Sequence, residues 1–220
     1  DFDAVVLAGD NLYVASPVAI EAQIVAVATT IAHIAERARV FVCSGNHDLN
    51  ALNTAGEKTA DWLAGLRDAG VAVDGDSALI DGTLFTVIPW WDGPETQTMV
   101  GSILEEAARS RSGRWVWIYH APPEGPLSWT GSRHYGDSVL PEWVDRYRPD
   151  VVLCGHIHQA PFTPDGSWVD RLGSCWLFNA GGKQMGPLPP FVEIDLDGST
   201  ARWVSLAGAE ERALDELAPL

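Results

Sequence analysis

Positive charge is scarce in this chain. Lysine and arginine total 14 against 30 aspartates and glutamates, giving a net charge of −16 over 220 residues, and no basic block offsets the balance. That argues against non-specific binding to duplex nucleic acid or to an anionic membrane, both of which need a basic face. A small phosphate-bearing substrate remains admissible if bound cations set the local field. Cysteine is sparse as well: Cys43, Cys154 and Cys175 form no CxxC pair. They read as buried reduced thiols, so the expected setting is reducing and cytoplasmic. No stretch reaches the roughly 18 uninterrupted apolar residues of a membrane span, and the opening residues do not have the form of a signal peptide. No linker, repeat or low-complexity tract interrupts the chain, and 46% hydrophobic content over 220 residues fits one domain spanning 1–220.

What is present is a repeated local grammar. Four short apolar runs each end in Asp, Asn or His. Ala4–Ala8 leads into Gly9-Asp10-Asn11, and Val40–Ser44 into Gly45-Asn46-His47-Asp48. Arg114–Tyr119 leads into His120, and Asp150–Cys154 into Gly155-His156-Ile157-His158. Ligands of open α/β sheets sit beyond the carboxyl ends of strands, so these are the positions at which a site is expected. Between the runs, the apolar spacing predicts helices over Ile20–Arg39, Thr59–Ala69, Met99–Ser110 and Leu140–Tyr147. Ser77–Ile80 and Thr83–Ile88 read as a hairpin through Asp81-Gly82. After His158 strands dominate, at Trp168–Leu172, Cys175–Asn179, Phe191–Asp195 and Ala201–Leu206. The last residues, 207–220, are expected as a short acidic helix or a tail.

The polar set at the strand ends is Asp10, Asn46, His47, Asp48, His120, His156 and His158. Carboxylate and carboxamide oxygens with imidazole nitrogens, and no thiolate, suit hard to borderline divalent ions such as Mn, Fe, Mg or Zn. A carboxylate can bridge two such ions, and a pair roughly 3.5–4 Å apart can clamp the attacking and leaving oxygens of a phosphoryl centre. Water acidified there serves as nucleophile, in keeping with the lack of a Ser or Cys nucleophile in a persuasive context.

The ordered set Gly-Asp, Gly-Asn-His-Asp, strand-ending His and Gly-His-x-His resembles the calcineurin-like metallophosphoesterases over nearly the whole chain. The resemblance implies a four-layer α/β/β/α sandwich and hydrolysis of a phosphoester, leaning to phosphodiesters, through a metal-bound hydroxide at a dinuclear site. Under it, Asp10 bridges two divalent ions, Asn46, His120 and His156 complete the second site, and His158 belongs to the first. His47 resembles the histidine that contacts the phosphate and protonates the leaving oxygen; Asp48, by adjacency, is expected to orient it. The chain departs from the family in having no Asp-x-His motif upstream of Asp10, so the first site keeps only Asp10 and His158 and the sandwich lacks its first strand. The expectation is that the native protein begins upstream of Asp1; a one-metal enzyme or a catalytically weak scaffold are the alternatives, and a phosphomonoesterase is the alternative activity.

Other residues are weighed more lightly. His33, on the first helix, reads as a surface residue. Arg133 and His134, in the loop after His120, are candidate substrate-binding groups, since an Arg can meet a phosphate bidentately. Trp115, Trp117, Trp176 and Trp203 read as core, Trp90, Trp91 and Trp129 as rim residues able to stack on a base. Lys183 reads as a turn residue with a phosphate-facing role as the lesser alternative.

Overall fold

The computed structural model describes residues 2–182 and 188–215. They divide into two compact units, Asp1–Ser112 with Trp117–His120, and Gly113–Val116 with Ala121–Leu220. Lys183 lies outside the described residues.

In the first unit β1 (Ala4–Ala8) leads to helix α1 (Ile20–Ala35), which returns the chain to β2 (Arg39–Cys43). Strands β1 and β2 are parallel, from Ala4↔Arg39 to Ala8↔Cys43, and β1 is the edge of the three-stranded sheet β1-β2-β5. The ridge of α1 predicted from its spacing does pack inward: Ile31, with Val27 and Ile34, meets Val40, Val42, Leu63, Leu66 and Val73. The helix stops at Ala35, four residues before its predicted end, because Arg39 already belongs to β2. Short strands β3 (Ala51–Leu52) and β4 (Lys58–Thr59) pair next. The helix predicted over Thr59–Ala69 is instead a 3-10 segment, Asp61–Ala69, closed by the left-handed Gly70. It buries only Leu63 and Leu66, and at nine residues it is long for a 3-10 run.

Strand β5 (Ala72–Val73) pairs with β2. Hairpin β6 (Ser77–Ile80) and β7 (Thr83–Val87) turns through Asp81 and Gly82, both at positive φ (44° and 80°), as a primed two-residue turn requires. Helix α2 (Pro94–Ser110) starts five residues earlier than predicted. Its first turn is capped from a distance: the Glu57 carboxylate accepts from the N–H groups of Glu95 (2.9 Å) and Thr96 (2.7 Å). Burial works against the Glu57 charge, but those two donors prevail and hold it below the usual carboxylate range. Strand β8 (Trp115–Ile118) passes from the second unit into the first within its own length; in the first, Ile118 O accepts from Ile88 N at 2.9 Å.

In the second unit α3 (Leu140–Tyr147) matches its predicted bounds and leads to β9 (Val151–Cys154). The Asp150 N–H donates to Trp115 O at 2.9 Å, and the Asp150 carboxylate takes Trp115 N–H. Strands β10 (Val169–Leu172) and β11 (Cys175–Asn179) follow; β11 is parallel to β9, with Asn179 level with Cys154. An antiparallel meander of β12 (Phe191–Asp195), β13 (Thr200–Ser205) and β14 (Gly208–Ala213) completes the unit. The helix or tail expected from residue 207 is therefore wrong over β14: the run pairs with β13 along its whole length, and cross-strand hydrogen bonding overrides the helix propensity of its Ala, Glu and Arg residues.

The three cysteines are buried in β2, β9 and β11, and burial raises the pKa of both Cys154 and Cys175. Trp115, Trp117, Trp176 and Trp203 are core residues. His33 is exposed and pairs with Glu36 at 3.4 Å. Among the described residues no helix is long and apolar enough to cross a membrane.

Candidate metal centre

Because β1 and β2 are parallel and level at Ala8↔Cys43, the loops that follow them emerge side by side. The first loop turns through two consecutive left-handed residues, Gly9 (φ 86°) and Asp10 (φ 53°). A non-glycine residue held there costs about 1–3 kcal/mol and marks a site where surrounding contacts impose the conformation. Those contacts are visible. Asp10 Oδ1 accepts from the His47 backbone N–H at 2.9 Å, while Oδ2 faces His120 Nε2 at 3.2 Å and His47 Nδ1 at 3.6 Å.

The glycines flanking Asp10 and Asn46 are required by proximity. A Cβ on Gly45 would overlap Asp10 Oδ1 and stand 2.8 Å from His120 Nε2, and one on Gly9 would overlap the His120 ring and reach 2.9 Å from Gly45 N. Gly9, Asp10, Gly45 and His120 thus share one closely packed point.

His120 carries the chemical information. Its Nδ1 lies 2.6 Å from Ala8 O; a carbonyl only accepts, so Nδ1 bears the proton. In the neutral ring Nε2 is then a lone pair, and it points at an Asp10 carboxylate oxygen. Two acceptors at that separation repel unless positive charge joins them, either as imidazolium or as a cation. A backbone carbonyl fixing the far nitrogen is also how ligating histidines are oriented. The Asn46 side-chain oxygen is buried and has no hydrogen-bond partner among the described residues, a costly state for an acceptor unless a cation takes its lone pair. The donor set therefore fits a hard or borderline divalent ion. Burial pushes the Asp10 pKa up, but the hydrogen bond and charge of His120, then the His47 N–H and ring, outweigh it and hold the carboxyl below its ordinary value. Trp90 packs edge-on against His120, with ring centroids 5.8 Å apart.

Asp48 does not behave as adjacency suggested. Its carboxylate accepts from Gly45 N (2.8 Å), Leu12 N (3.0 Å) and Asn11 Nδ2 (3.2 Å), and the His47 ring turns to Asp10 instead. The side chains of consecutive residues in this turn diverge, so His47 faces the site, about a third exposed, while Asp48 is fully buried. Burial, the largest influence, raises the Asp48 pKa despite its N–H donors.

In the second unit, His156 follows β9 in the left-handed region (φ 65°), the same local device as Asp10. The loop Gly155–His158 is held by Asn179, whose Nδ2 donates to Ile157 O and Leu127 O, both at 3.0 Å, while its Oδ1 accepts from Gly181 N at 2.9 Å. Gly182 N donates to His158 O, and a Cβ on Gly182 would overlap the His158 ring. In the sequence Asn179 carries the same signal as the site residues, since it closes β11 as Asp, Asn and His follow the other strands.

Arg133 and His134 sit in a compact loop of the same unit. His134 Nδ1 lies 3.0 Å from Gly125 O and 3.2 Å from Ser128 Oγ, its ring packs on Trp129 with centroids 4.8 Å apart, and the Arg133 guanidinium lies over the Tyr135 ring at 4.3 Å. Trp90 and Trp129 thus each have a ring contact with a histidine.

A family model of calcineurin-like phosphoesterases matches residues 1–160, and the chain belongs to that family. It is accordingly a phosphoric ester hydrolase of a metal-dependent class. Its mixed α/β fold is shared with solved structures. One is TT1561 of Thermus thermophilus, at 14% identity and a TM-score of 0.59, with 96% of this chain and 86% of that one covered. Another is the purple acid phosphatase PPD1 from yellow lupin (Lupinus luteus) seeds, at 15% identity and a TM-score of 0.56, covering 98% of this chain and 45% of that one. At such identities the likeness is one of fold. No curated protein sequence matches the chain.

Proposed function

We propose that this protein hydrolyses a small phosphodiester with two divalent ions as cofactors, which Asp10 would help to hold. In this reading Asn46, His120 and His156 hold the second ion and His158 the first. The ions supply Lewis-acid polarisation of the phosphoryl group and acidification of water. The observation that carries the reading is the His120–Asp10 arrangement, in which Nε2 faces a carboxylate oxygen with Nδ1 already committed to Ala8 O.

The protein side chains then have distinct tasks. His47, partly exposed with its ring near Asp10, donates a proton to the leaving oxygen. The His47 backbone N–H holds Asp10 Oδ1 and leaves Oδ2 for the site. Arg133, planar and braced on Tyr135, is our candidate for a phosphate oxygen, and His134, with Nδ1 occupied within its loop, offers only Nε2 to substrate. The net charge of −16 favours a small substrate over duplex nucleic acid or an anionic membrane surface.

The phosphodiester preference and the use of Mn are tested together. Hydrolysis of bis-p-nitrophenyl phosphate should exceed that of p-nitrophenyl phosphate and should depend on added Mn. A reversed preference would make the protein a phosphomonoesterase. Absence of turnover on both substrates, with and without Mn, would favour a scaffold reading.

A further inference from the structure

Asp48 is a fully buried carboxylate with no place in the reaction described above. We propose that Asp48, working with Asn11, is a positioning residue that holds the Asp10 loop and the Asn46 loop at the spacing metal binding requires; this rests on reading Asp10 and Asn46 as ligands. The two loops are cross-stitched by a reciprocal pair of carboxylates. Asp10, on the first loop, takes the His47 N–H of the second. Asp48, on the second loop, takes the Leu12 N–H and the Asn11 Nδ2 of the first, and the Gly45 N–H of its own. Asn11 Nδ2 also lies 3.4 Å from Cys43 O, at the end of β2. The Asp48 backbone is fixed in turn, its N–H donating to Gly45 O and its carbonyl accepting from Trp62 Nε1 at 3.0 Å.

The consequence falls on Asp10. Its left-handed φ of 53° is held only if the residues after it are anchored, and Asn11 and Leu12 are the two anchored by Asp48. The carboxylate is needed for its two accepting oxygens. Oδ2 serves Gly45 and Asn11 and Oδ1 serves Leu12, so an Asn at this position sets an NH2 group against an N–H donor in either orientation.

Calorimetric titration of metal-free protein with Mn, on the whole chain, is the test. Asp48→Asn is expected to weaken Mn affinity about tenfold or more, the range found when groups that orient metal ligands are lost. Leu104→Ala, a buried α2 residue outside both loops, should lower the melting temperature and leave Mn affinity unchanged. Affinity within twofold of wild type in Asp48→Asn, or an equal loss in Leu104→Ala, would overturn the inference. If Asp48→Asn does not fold, Asn11→Ala is read in its place, with at least threefold weaker binding expected and unchanged binding overturning the proposal. A wild-type protein that takes up no Mn would overturn the ligand reading itself, and this inference with it.

Discussion

Asp74 offers the sharpest quantitative test of the physical reading. It stands just after β5, and its carboxylate accepts from the Ser44 N–H at 2.8 Å, while Ser44 Oγ accepts from Trp90 N at 2.9 Å. Burial raises its pKa from 3.8 to about 7; the Ser44 hydrogen bonds oppose the rise, the Asp48 charge adds to it, and Arg67 opposes it. Arg67 brings little relief because its guanidinium is engaged by Asp76 at 2.9 Å. A carboxyl whose folded pKa exceeds its unfolded one binds more protons in the native state, so stability falls as pH rises between the two values. Well below the unfolded value both states are protonated and nothing is lost; above the folded value the loss is complete. A rise from 3.8 to about 7 corresponds to about 4 kcal/mol at 1.36 kcal/mol per pH unit. Since Asp74 keeps part of its surface in solvent, we take about 2 kcal/mol as the lower expectation.

The perturbation is Asp74→Asn, which keeps an oxygen for the Ser44 N–H and cannot ionise. Urea unfolding at pH 4.5, 6 and 8 should show the advantage of the variant over wild type smallest at the lowest pH. At pH 8 it should be more stable by about 2–4 kcal/mol, read as a higher midpoint at unchanged slope. A stability difference that does not vary with pH, or a variant less stable than wild type at pH 8, would refute the argument that Asp74 is a carboxylate ionised at the expense of the fold.

The remaining expectations concern the site. His156→Ala should lower kcat/KM on bis-p-nitrophenyl phosphate about a hundredfold or more by removing a ligand; unchanged turnover would take His156 out of the metal set. Gly45→Ala places a Cβ against Asp10 and His120 and should abolish Mn binding measured by calorimetry, and retained binding would show that the contact is not tight. Asn179→Ala strands Leu127 O, Ile157 O and Gly181 N, at about 1–3 kcal/mol for a buried group left unsatisfied, so its unfolding midpoint should drop along with kcat/KM. A chelator should silence the enzyme and Mn restore it; activity in chelator would contradict metal dependence.

Much of this arrangement was open to reading because the fold repeats a local signal. An apolar run of four or five residues followed by Asp, Asn or His is a strand delivering a polar loop, and β1, β2, β8 and β9 all obey it, β1 being only half-buried at its sheet edge. Termination is harder to read. Nothing in the apolar spacing of α1 says that Arg39 will join β2, and the early start of α2 depends on Glu57, a carboxylate arriving from 38 residues away.

The roles of neighbours are harder still, and His47-Asp48 shows why. Adjacency suggests a dyad, but which of two consecutive side chains turns toward the site is decided by the donors that surround each. For Asp48 those donors are Leu12 and Asn11, some 36 residues earlier in the chain, and they are in place only because β1 and β2 run parallel with Ala8 level with Cys43. A slip of one residue in that register would reverse the facing of every side chain on β1 relative to β2 and carry Asp10 away from the His47 N–H. The chemistry of the site is thus written in the loops, while the assignment of each loop residue to ligand or support is written in the strand register beneath them.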